Sequence, residues 1–423
     1  MTLTGPVSRD QMLTPGALQP AYQPIVELDT GLTVGYEALA RWPDLRVTPE
    51  IAFDVAIQEG WVDLLDWTCH VAAVRGALAA RLGRRQTLFV NAEPASFAGD
   101  PPPGLDRLKA RVERELRLVV EITERALTES PAKLLQACRV IRSHGLGLAL
   151  DDVGAVPESL ALLPLIAPDV VKIDLVPTRG WIPRDRAHFM TALAAYAEQS
   201  GALILAEGIE TERHLSEARI LGATLGQGWY FGAAGPIGKD RPTARMATLA
   251  PRVERPVTTP TALLESSGRA QIASKKQLLG MSLLLEHQAL SLRSPMVVLT
   301  ALQDMGHFSA ATASRYRSMA ARCPLVVVFG PDRNLGKGIG FYTIPLDIDD
   351  PLRHEWVVLV LGAHYAAALL ARDLGDQGPD RDRRFAYLLT HDRDLVIQAA
   401  TSLLERVPAD VSLASPVASS KHN

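Results

Sequence analysis

Six acidic or amide side chains recur in one context along the first half of the chain: each lies in, or directly after, a short run of aliphatic residues. Glu37 sits in VGYEALA, Asn91 in TLFVNA, Glu121 in LVVEIT, Asp151 and Asp152 close LGLALDD, and Glu207 ends ALILAE. Apolar strand ends normally pass into Gly, Pro or Ser, and carboxylates buried near one another are costly unless cations compensate them. A set of hard oxygen donors without Cys or His suits Mg2+ or Mn2+ better than zinc. Gln23 in YQPIV, Arg41 after EALA and Lys172 in VVKID add one amide and two cations to the same positions, a mixture suited to an anionic ester. Two divalent ions sharing Asp151 would ionise a water, hold it in line with phosphorus and stabilise the leaving oxygen. Taken singly, each acid has a second explanation as a cap for the following helix. Capping does not require Asn91, Lys172 and several acidic strand ends to share one face.

The elements that must position these groups follow from the hydrophobic pattern. Strands are expected at 21–28, 34–40, 87–92, 118–123, 146–151, 170–174, 202–207 and, more weakly, 226–231. Helical periods fill 49–59, 63–82, 131–144, 187–200 and 212–221. Only the first two strands are joined without a helix, by DTG at 29–31, which makes them an antiparallel hairpin. Eight strands alternating with helices point to an α/β chain folded as a modified (β/α)8 TIM-type barrel with an antiparallel first strand pair. An open doubly wound sheet is the competing architecture. Acidic residues at the ends of many different strands favour the barrel over a sheet with one crevice.

At about 21–236 the ordered blocks YQPIV, YEALARW, FVNAEP, EITER, LALDD, VVKID, AEGIET and QGWYFG make the chain resemble the EAL-domain family of cyclic di-GMP phosphodiesterases, with the triplet at Glu37-Ala38-Leu39. The resemblance implies a barrel whose first strand pair is antiparallel, and hydrolysis of one phosphodiester of cyclic di-GMP to the linear dinucleotide pGpG. It further implies a two-metal site of Mg2+ or Mn2+: Glu37, Asn91, Glu121 and Asp151 hold one ion, and Asp151, Asp152 and Glu207 the other. Lys172 would orient the nucleophilic water, Gln227 would stand near metal-bound water, Gln23 and Arg41 would touch the substrate, and Glu124 would support the loop after its strand. One block departs from the family. Where the family reads approximately DFGTGYSSL, this chain has DVGAVPESL from Asp152, and Pro157 stiffens a segment that glycine would leave mobile. A receptor that binds cyclic di-GMP without cleaving it is therefore the alternative reading.

A second region follows. The chain is expected to divide into an N-terminal tail (1–18), the barrel (19–245), a linker (246–272), a separate α/β sensor-like domain (273–407) and a C-terminal tail (408–423). Helices are expected at 274–292, 310–323 and 393–406, and strands at 324–330, 355–362 and 386–392. This region resembles the DICT sensory domain, through KKQLLGMSLLLE, VVVFG, WVVLVLG and RRFAYLLTHDRDLV, which implies an input role for an unidentified ligand or protein partner. Its histidines are spaced too irregularly for a metal site, and GKGIG at 336–340 lacks Walker spacing and reads as a turn.

Composition closes off other classes. With 423 residues, 47% hydrophobic and 22% charged, and a formal net charge of −3, the chain has the balance of a folded two-domain protein and no basic field for DNA. No run of about 20 apolar residues suggests membrane insertion. Cys69, Cys138 and Cys323 are too few and scattered for a disulfide framework and read as reduced thiols, so the cytoplasm is the expected location. A homodimer is expected from the family resemblance. Trp42, Trp61, Trp67 and Trp229 are read as packing residues.

Overall fold

The computed structural model describes residues 7–94, 96, 102–123, 131–154, 160–175, 183–238, 242–247, 249, 259–292, 294–303, 309–331 and 341–408. Eight strands close a barrel in chain order: β1 (Gln19–Glu27), β2 (Thr33–Arg41), β3 (Thr87–Asn91), β4 (Arg117–Thr123), β5 (Gly147–Asp151), β6 (Val170–Asp174), β7 (Leu203–Glu207) and β8 (Leu225–Gln227). β1 runs antiparallel to both neighbours, β2 and β8, and the remaining pairs are parallel. The hairpin expected at 29–31 is present, with Gly31 at φ 70° and its N–H donating to Glu27 O at 2.8 Å.

Parallel strands need long crossovers, and helices supply them, among them Val62–Ala79, Asp106–Glu115, Pro131–Ser143, Pro183–Ser200 and Glu212–Ile220. Inside the barrel, Ile25, Val34, Phe89, Val119, Ala149, Val170, Leu205 and Leu225 form one apolar cluster with Met246. Arg117 secures the Met246 segment by donating to the carbonyls of Met246 (3.0 Å) and Ala247 (2.7 Å). Side chains alternate in and out with period two, so on β3 to β8 the next inward position beyond this cluster is two residues further along the strand. That position carries the polar groups considered below.

One barrel strand is shorter than the hydrophobic run suggests. β8 stops at Gln227 instead of reaching 231, because Gly228 turns the chain at φ 151° and packs against the Ile209 backbone, where a Cβ would lie 2.1 Å from the Ile209 carbonyl oxygen. Phe231 N–H then returns to Gly228 O at 3.0 Å.

The second unit is a seven-stranded sheet made of β9 (Gln271–Ser274), β10 (Val297–Ala301), β11 (Leu325–Gly330), β12 (Tyr342–Pro345), β13 (Glu355–Leu361), β14 (Ala366–Asp373) and β15 (Arg384–Thr390), in spatial order β12-β11-β10-β13-β14-β15-β9. β10, β11 and β12 are mutually parallel, and the other pairs are antiparallel. Its central strands are buried on both faces, which is why LVVVFG and EWVVLVL are unbroken apolar runs rather than alternating ones. Val298, Val326, Val328, Val358 and Val360 share one core with Leu278 and Leu285 of the Lys275–Ser291 helix and Met319 of the Ala310–Ala320 helix. Val297, Leu299, Val327, Val357 and Leu359 point the other way, toward the Arg393–Leu404 helix.

That last helix joins the two units. Asp392 caps it, accepting from Asp394 N (3.2 Å) and Leu395 N (3.4 Å), and its apolar stripe Val396, Ala399, Ala400, Leu403 and Leu404 is fully buried. It lies against β13 and β14 and also against the barrel helices Pro131–Ser143 and Leu163–Ile166, so a single apolar cluster runs from the barrel into the second sheet. Arg139 of the barrel pairs with Glu405 at 2.9 Å across this junction. The stretch expected to be a linker is also partly ordered, holding the Ala262–Ser267 helix and β9. Glu355 anchors it, its buried carboxylate accepting from Thr261 N at 3.0 Å and from the Thr261 hydroxyl. Among the described residues no helix is long and apolar enough to cross a membrane.

Gly35 stands where a Cβ would come within 2.5 Å of the Thr87 carbonyl oxygen, at the β2–β3 contact. Gly35→Ala should therefore destabilise the chain by about 1–3 kcal/mol through overpacking, read as a lowered urea midpoint at unchanged slope. A midpoint equal to that of the parent would show that β2 can move away without cost.

Candidate active site

Seven side chains occupy the inward positions next to the barrel's apolar floor. Asn91, Glu121, Asp151, Lys172, Glu207 and Gln227 each lie two residues beyond Phe89, Val119, Ala149, Val170, Leu205 and Leu225, and Gln23 lies two residues before Ile25 on the antiparallel strand. Glu37 joins them from β2, directly opposite Gln23. The closed sheet thus turns eight separate strand positions into one polar layer.

Lys172 stands at its centre. Its side chain is 1% exposed, and Nζ lies 2.9 Å from Glu207 Oε1, 3.0 Å from Glu121 Oε1, 3.2 Å from Asp151 Oδ1 and 3.7 Å from Glu37 Oε1. Amides complete the layer. Asn91 donates to Glu37 Oε1 at 2.9 Å, and Gln227 donates to Glu37 Oε2 at 2.5 Å and to Gln23 Oε1 at 3.1 Å. Gln23 in turn donates to Gly232 O at 3.4 Å, tying β1 to the turn after β8.

Burial and charge set the protonation states. Burial drives Glu121 well above the ordinary carboxylate range; Lys172 opposes this, while Glu37, Asp151 and Glu207 add to it. Burial likewise pushes Glu207 up to about 8, against the pull of Lys172 and with the help of Asp151 and Glu37. Glu37 goes the other way: burial alone would raise it, but Lys172 and the donors Gln227 and Asn91 hold it below its usual value. Burial also opposes the charge on Lys172, yet four carboxylates around one ammonium raise it well above a free lysine.

One ammonium does not balance four carboxylates, and the site is built to accept more positive charge. Asp151, Asp152 and Glu207 present ligand oxygens within 4.8 Å of one another on the open side of the layer. Glu121 Oε2 and Gln227 Oε1 are buried acceptors without a hydrogen-bond donor among the described residues. Both features fit a hard divalent cation or water bound to one. Asp152 reaches its place through a left-handed backbone, φ 59°, a conformation aspartate tolerates better than most residues, with its N–H donating to Asp151 Oδ1 at 2.9 Å.

Of the residues singled out in the sequence, Gln23, Glu37, Asn91, Glu121, Asp151, Lys172, Glu207 and Gln227 meet in this layer, and Asp152 borders it. Arg41 does not join the cluster; its guanidinium donates to Ala40 O at 2.8 Å, and it adds the smallest pull on Glu50, whose carboxyl is lowered chiefly by the Thr48 hydrogen bond. Glu124, the 155–158 part of the divergent loop and GKGIG fall outside the described residues. Val153, the first divergent position, is fully buried, with its N–H on Lys172 O at 3.0 Å. Trp42 and Trp61 are core residues, but Trp229 is not: it is 74% exposed, because the Gly228 turn ejects the side chain that a longer strand would have packed.

Sequence reasoning missed the support behind Asn91. On the Val62–Ala79 helix, Asp66 and His70 are buried and face the segment after β3, with His70 Nε2 at 2.7 Å from Asn91 O. The spacing of Asp63, Asp66, Trp67 and His70, a polar stripe on an otherwise apolar helix, was the available signal.

Fold and site together define a barrel with an acidic, lysine-centred mouth, and comparison with known proteins identifies its family. Residues 8–234 match the EAL domain model, and the chain belongs to that family. Residues 259–374 match the model described as the sensory domain in diguanylate cyclases and two-component systems, DICT. The cyclic di-GMP phosphodiesterase RocR of Pseudomonas aeruginosa is 32% identical over 228 residues, covering 51% of this chain and 57% of its own length. PdeG of Escherichia coli, named as a probable cyclic di-GMP phosphodiesterase, is 28% identical over 229 residues, with 51% and 44% covered. The chain therefore spans about half the length of these relatives. Among solved structures, BlrP1 of Klebsiella pneumoniae in a complex with manganese and cyclic di-GMP is 26% identical with a TM-score of 0.46, covering 53% of this chain and 58% of that one.

The raised Glu207 carries a pH dependence. Its carboxyl titrates near 8 when folded and near 4.5 in its ordinary state, so between those values the folded chain binds more protons than the unfolded one. Stability then falls as pH rises through that window. In chelator-treated protein the melting temperature should drop from pH 5 to pH 8. Excess Mn2+, which takes the ionised carboxylate, should reduce or reverse that drop. Calorimetric scans with flat, metal-independent melting temperatures would contradict the assignment.

Proposed function

We propose that the chain hydrolyses cyclic di-GMP to pGpG as a divalent-metal-dependent phosphodiesterase, with Mg2+ or Mn2+ as the ion. The observation that carries this reading is the convergence of Glu37, Asn91, Glu121, Asp151 and Glu207 around Lys172 in one layer, with Asp152 at its edge. Family membership and the names of RocR and PdeG support the choice of substrate.

Glu37, Asn91, Glu121 and Asp151 would hold one ion, and Asp151, Asp152 and Glu207 a second. Ions bound there supply Lewis-acid polarisation of the phosphodiester and an ionised water at neutral pH. The chain's own groups do the rest. Lys172, already at hydrogen-bond distance from Glu121, Asp151 and Glu207, donates to the attacking water and restrains its orientation. Gln227 keeps Glu37 ionised and aimed inward by donating to it, and Gln23 shares that amide contact at the substrate side. Arg41, on the same strand as Glu37, is the cation for the far phosphate. The family resemblance gives Glu124 the role of loop support.

The second domain is read as an input module for an unidentified ligand or partner, the assembly as a homodimer and the compartment as the cytoplasm. The match to the DICT model supports the first of these, and family resemblance the second.

Chromatography of cyclic di-GMP incubated with the purified chain and Mn2+ should show pGpG. Glu37→Ala should abolish turnover and weaken Mn2+ binding, whereas Lys172→Ala should keep Mn2+ binding and lose turnover by at least about 100-fold, the scale of a lost acid–base or positioning group. Tight nucleotide binding without product would establish the receptor reading instead, and equal Mn2+ affinity in both variants would contradict the separate roles.

A further inference from the structure

The Val62–Ala79 helix carries a polar stripe that a helix packed on a barrel has no structural need for. Asp63, Asp66, Trp67 and His70 lie on one face, at helical spacing, and grip the end of β3 and the residues just after it: His70 at Asn91, Asp66 at Glu93, and Asp63 and Trp67 at Ser96. His70 Nε2 lies 2.7 Å from the carbonyl oxygen of Asn91; an acceptor there requires the proton on Nε2. Asp66 Oδ1 lies 3.5 Å from the same nitrogen, and Asp66 Oδ2 accepts from Glu93 N at 3.3 Å. Trp67 meets the imidazole edge-on, centroids 5.6 Å apart, and donates to Ser96 O at 3.3 Å, while Ser96 Oγ donates to Asp63 Oδ1 at 3.3 Å.

Asp66 is 1% exposed and His70 7%. An aliphatic pair would fill this space at lower desolvation cost, so the polar pair is explained by what it holds. What it holds is the peptide of Asn91 at the end of β3. The next N–H, of Ala92, is bound by Glu121 O at 2.9 Å, so both groups of the peptide unit that follows the Asn91 side chain are fixed. Fixing that plane fixes the Cα–Cβ bond from which the amide departs, and the amide nitrogen then reaches Glu37 Oε1.

We propose that His70, backed by Asp66, is a positioning residue that orients Asn91 as a metal ligand. The proposal rests on Asn91 being a ligand, as read above. It makes metal affinity depend on a side chain that never touches the metal, in the way outer hydrogen-bond partners tune other metal sites.

Three full-length variants test it, with Mn2+ binding measured by titration calorimetry, kcat and KM at saturating Mn2+, and melting temperature in chelator. His70→Leu should weaken Mn2+ binding about 10-fold and lower kcat with little change in substrate KM, while His70→Gln, whose amide donor can reach the same carbonyl, should stay within about threefold of the parent. His70→Asn, too short to reach, carries the test if the leucine variant does not fold, and should also weaken Mn2+ binding. Parent-like Mn2+ affinity in His70→Leu or His70→Asn overturns the proposal, as does a failure of His70→Gln to restore it in a variant of normal melting temperature. Absence of Mn2+ binding by the parent chain would instead defeat the metal-site reading itself.

Discussion

A lysine ammonium enclosed by four carboxylates organises the barrel mouth. Charges removed from water in this way are tolerable only when each has close partners, and Lys172 meets that condition for Glu37, Glu121, Asp151 and Glu207 at once. The arrangement is asymmetric in charge, however. It leaves Glu121 and Glu207 raised, holds Glu37 lowered with the help of two amides, and keeps Asp151, Asp152 and Glu207 toward the open side. An excess of buried negative charge is a cost to the fold and an affinity for cations, and the same residues account for both.

Such a layer needs a rigid frame, because a shift of about 1 Å would separate the partners. Closure of the sheet supplies the frame. From β3 to β8 each strand contributes an apolar side chain to the floor and, two residues on, a polar one to the mouth, so the packing that excludes water below the site also sets its height on those six strands. Local devices refine the positions: the Gly35 contact lets β2 approach β3, the left-handed Asp152 turns the chain at the rim, and the polar stripe at 63–70 grips the end of β3.

The second unit follows different packing logic. Its sheet is covered on both faces, by the Lys275–Ser291 and Ala310–Ala320 helices on one side and by the Arg393–Leu404 helix with the barrel on the other. The junction is apolar and continuous, and it includes the Leu163–Ile166 helix, which follows the Asp151–Asp152 segment in the chain. The two units therefore share one apolar core, and only about half of the chain belongs to the EAL match.

Much of this was legible in order along the chain. Period-two runs ending in Glu, Asn or Asp marked the strands and the mouth, because a polar residue at the end of an apolar strand has few structural explanations, and DTG marked the antiparallel pair. Other features were hidden from local pattern. β14 reads AAALLARD, a composition that favours helix, and becomes a strand because small side chains suit a sheet covered on both faces. β9 and the Ala262–Ser267 helix lie in a Pro- and Ser-rich stretch whose order comes from distant partners, Glu355 and β15. Trp229 looked like a core residue until the Gly228 turn, set by the Ile209 backbone, placed it in solvent. Residue type and spacing alone thus determined which strands carry the chemistry and on which face. The tertiary structure decided what each group faces, because distances across a closed barrel, and the burial that sets charge, depend on strands far apart in the chain.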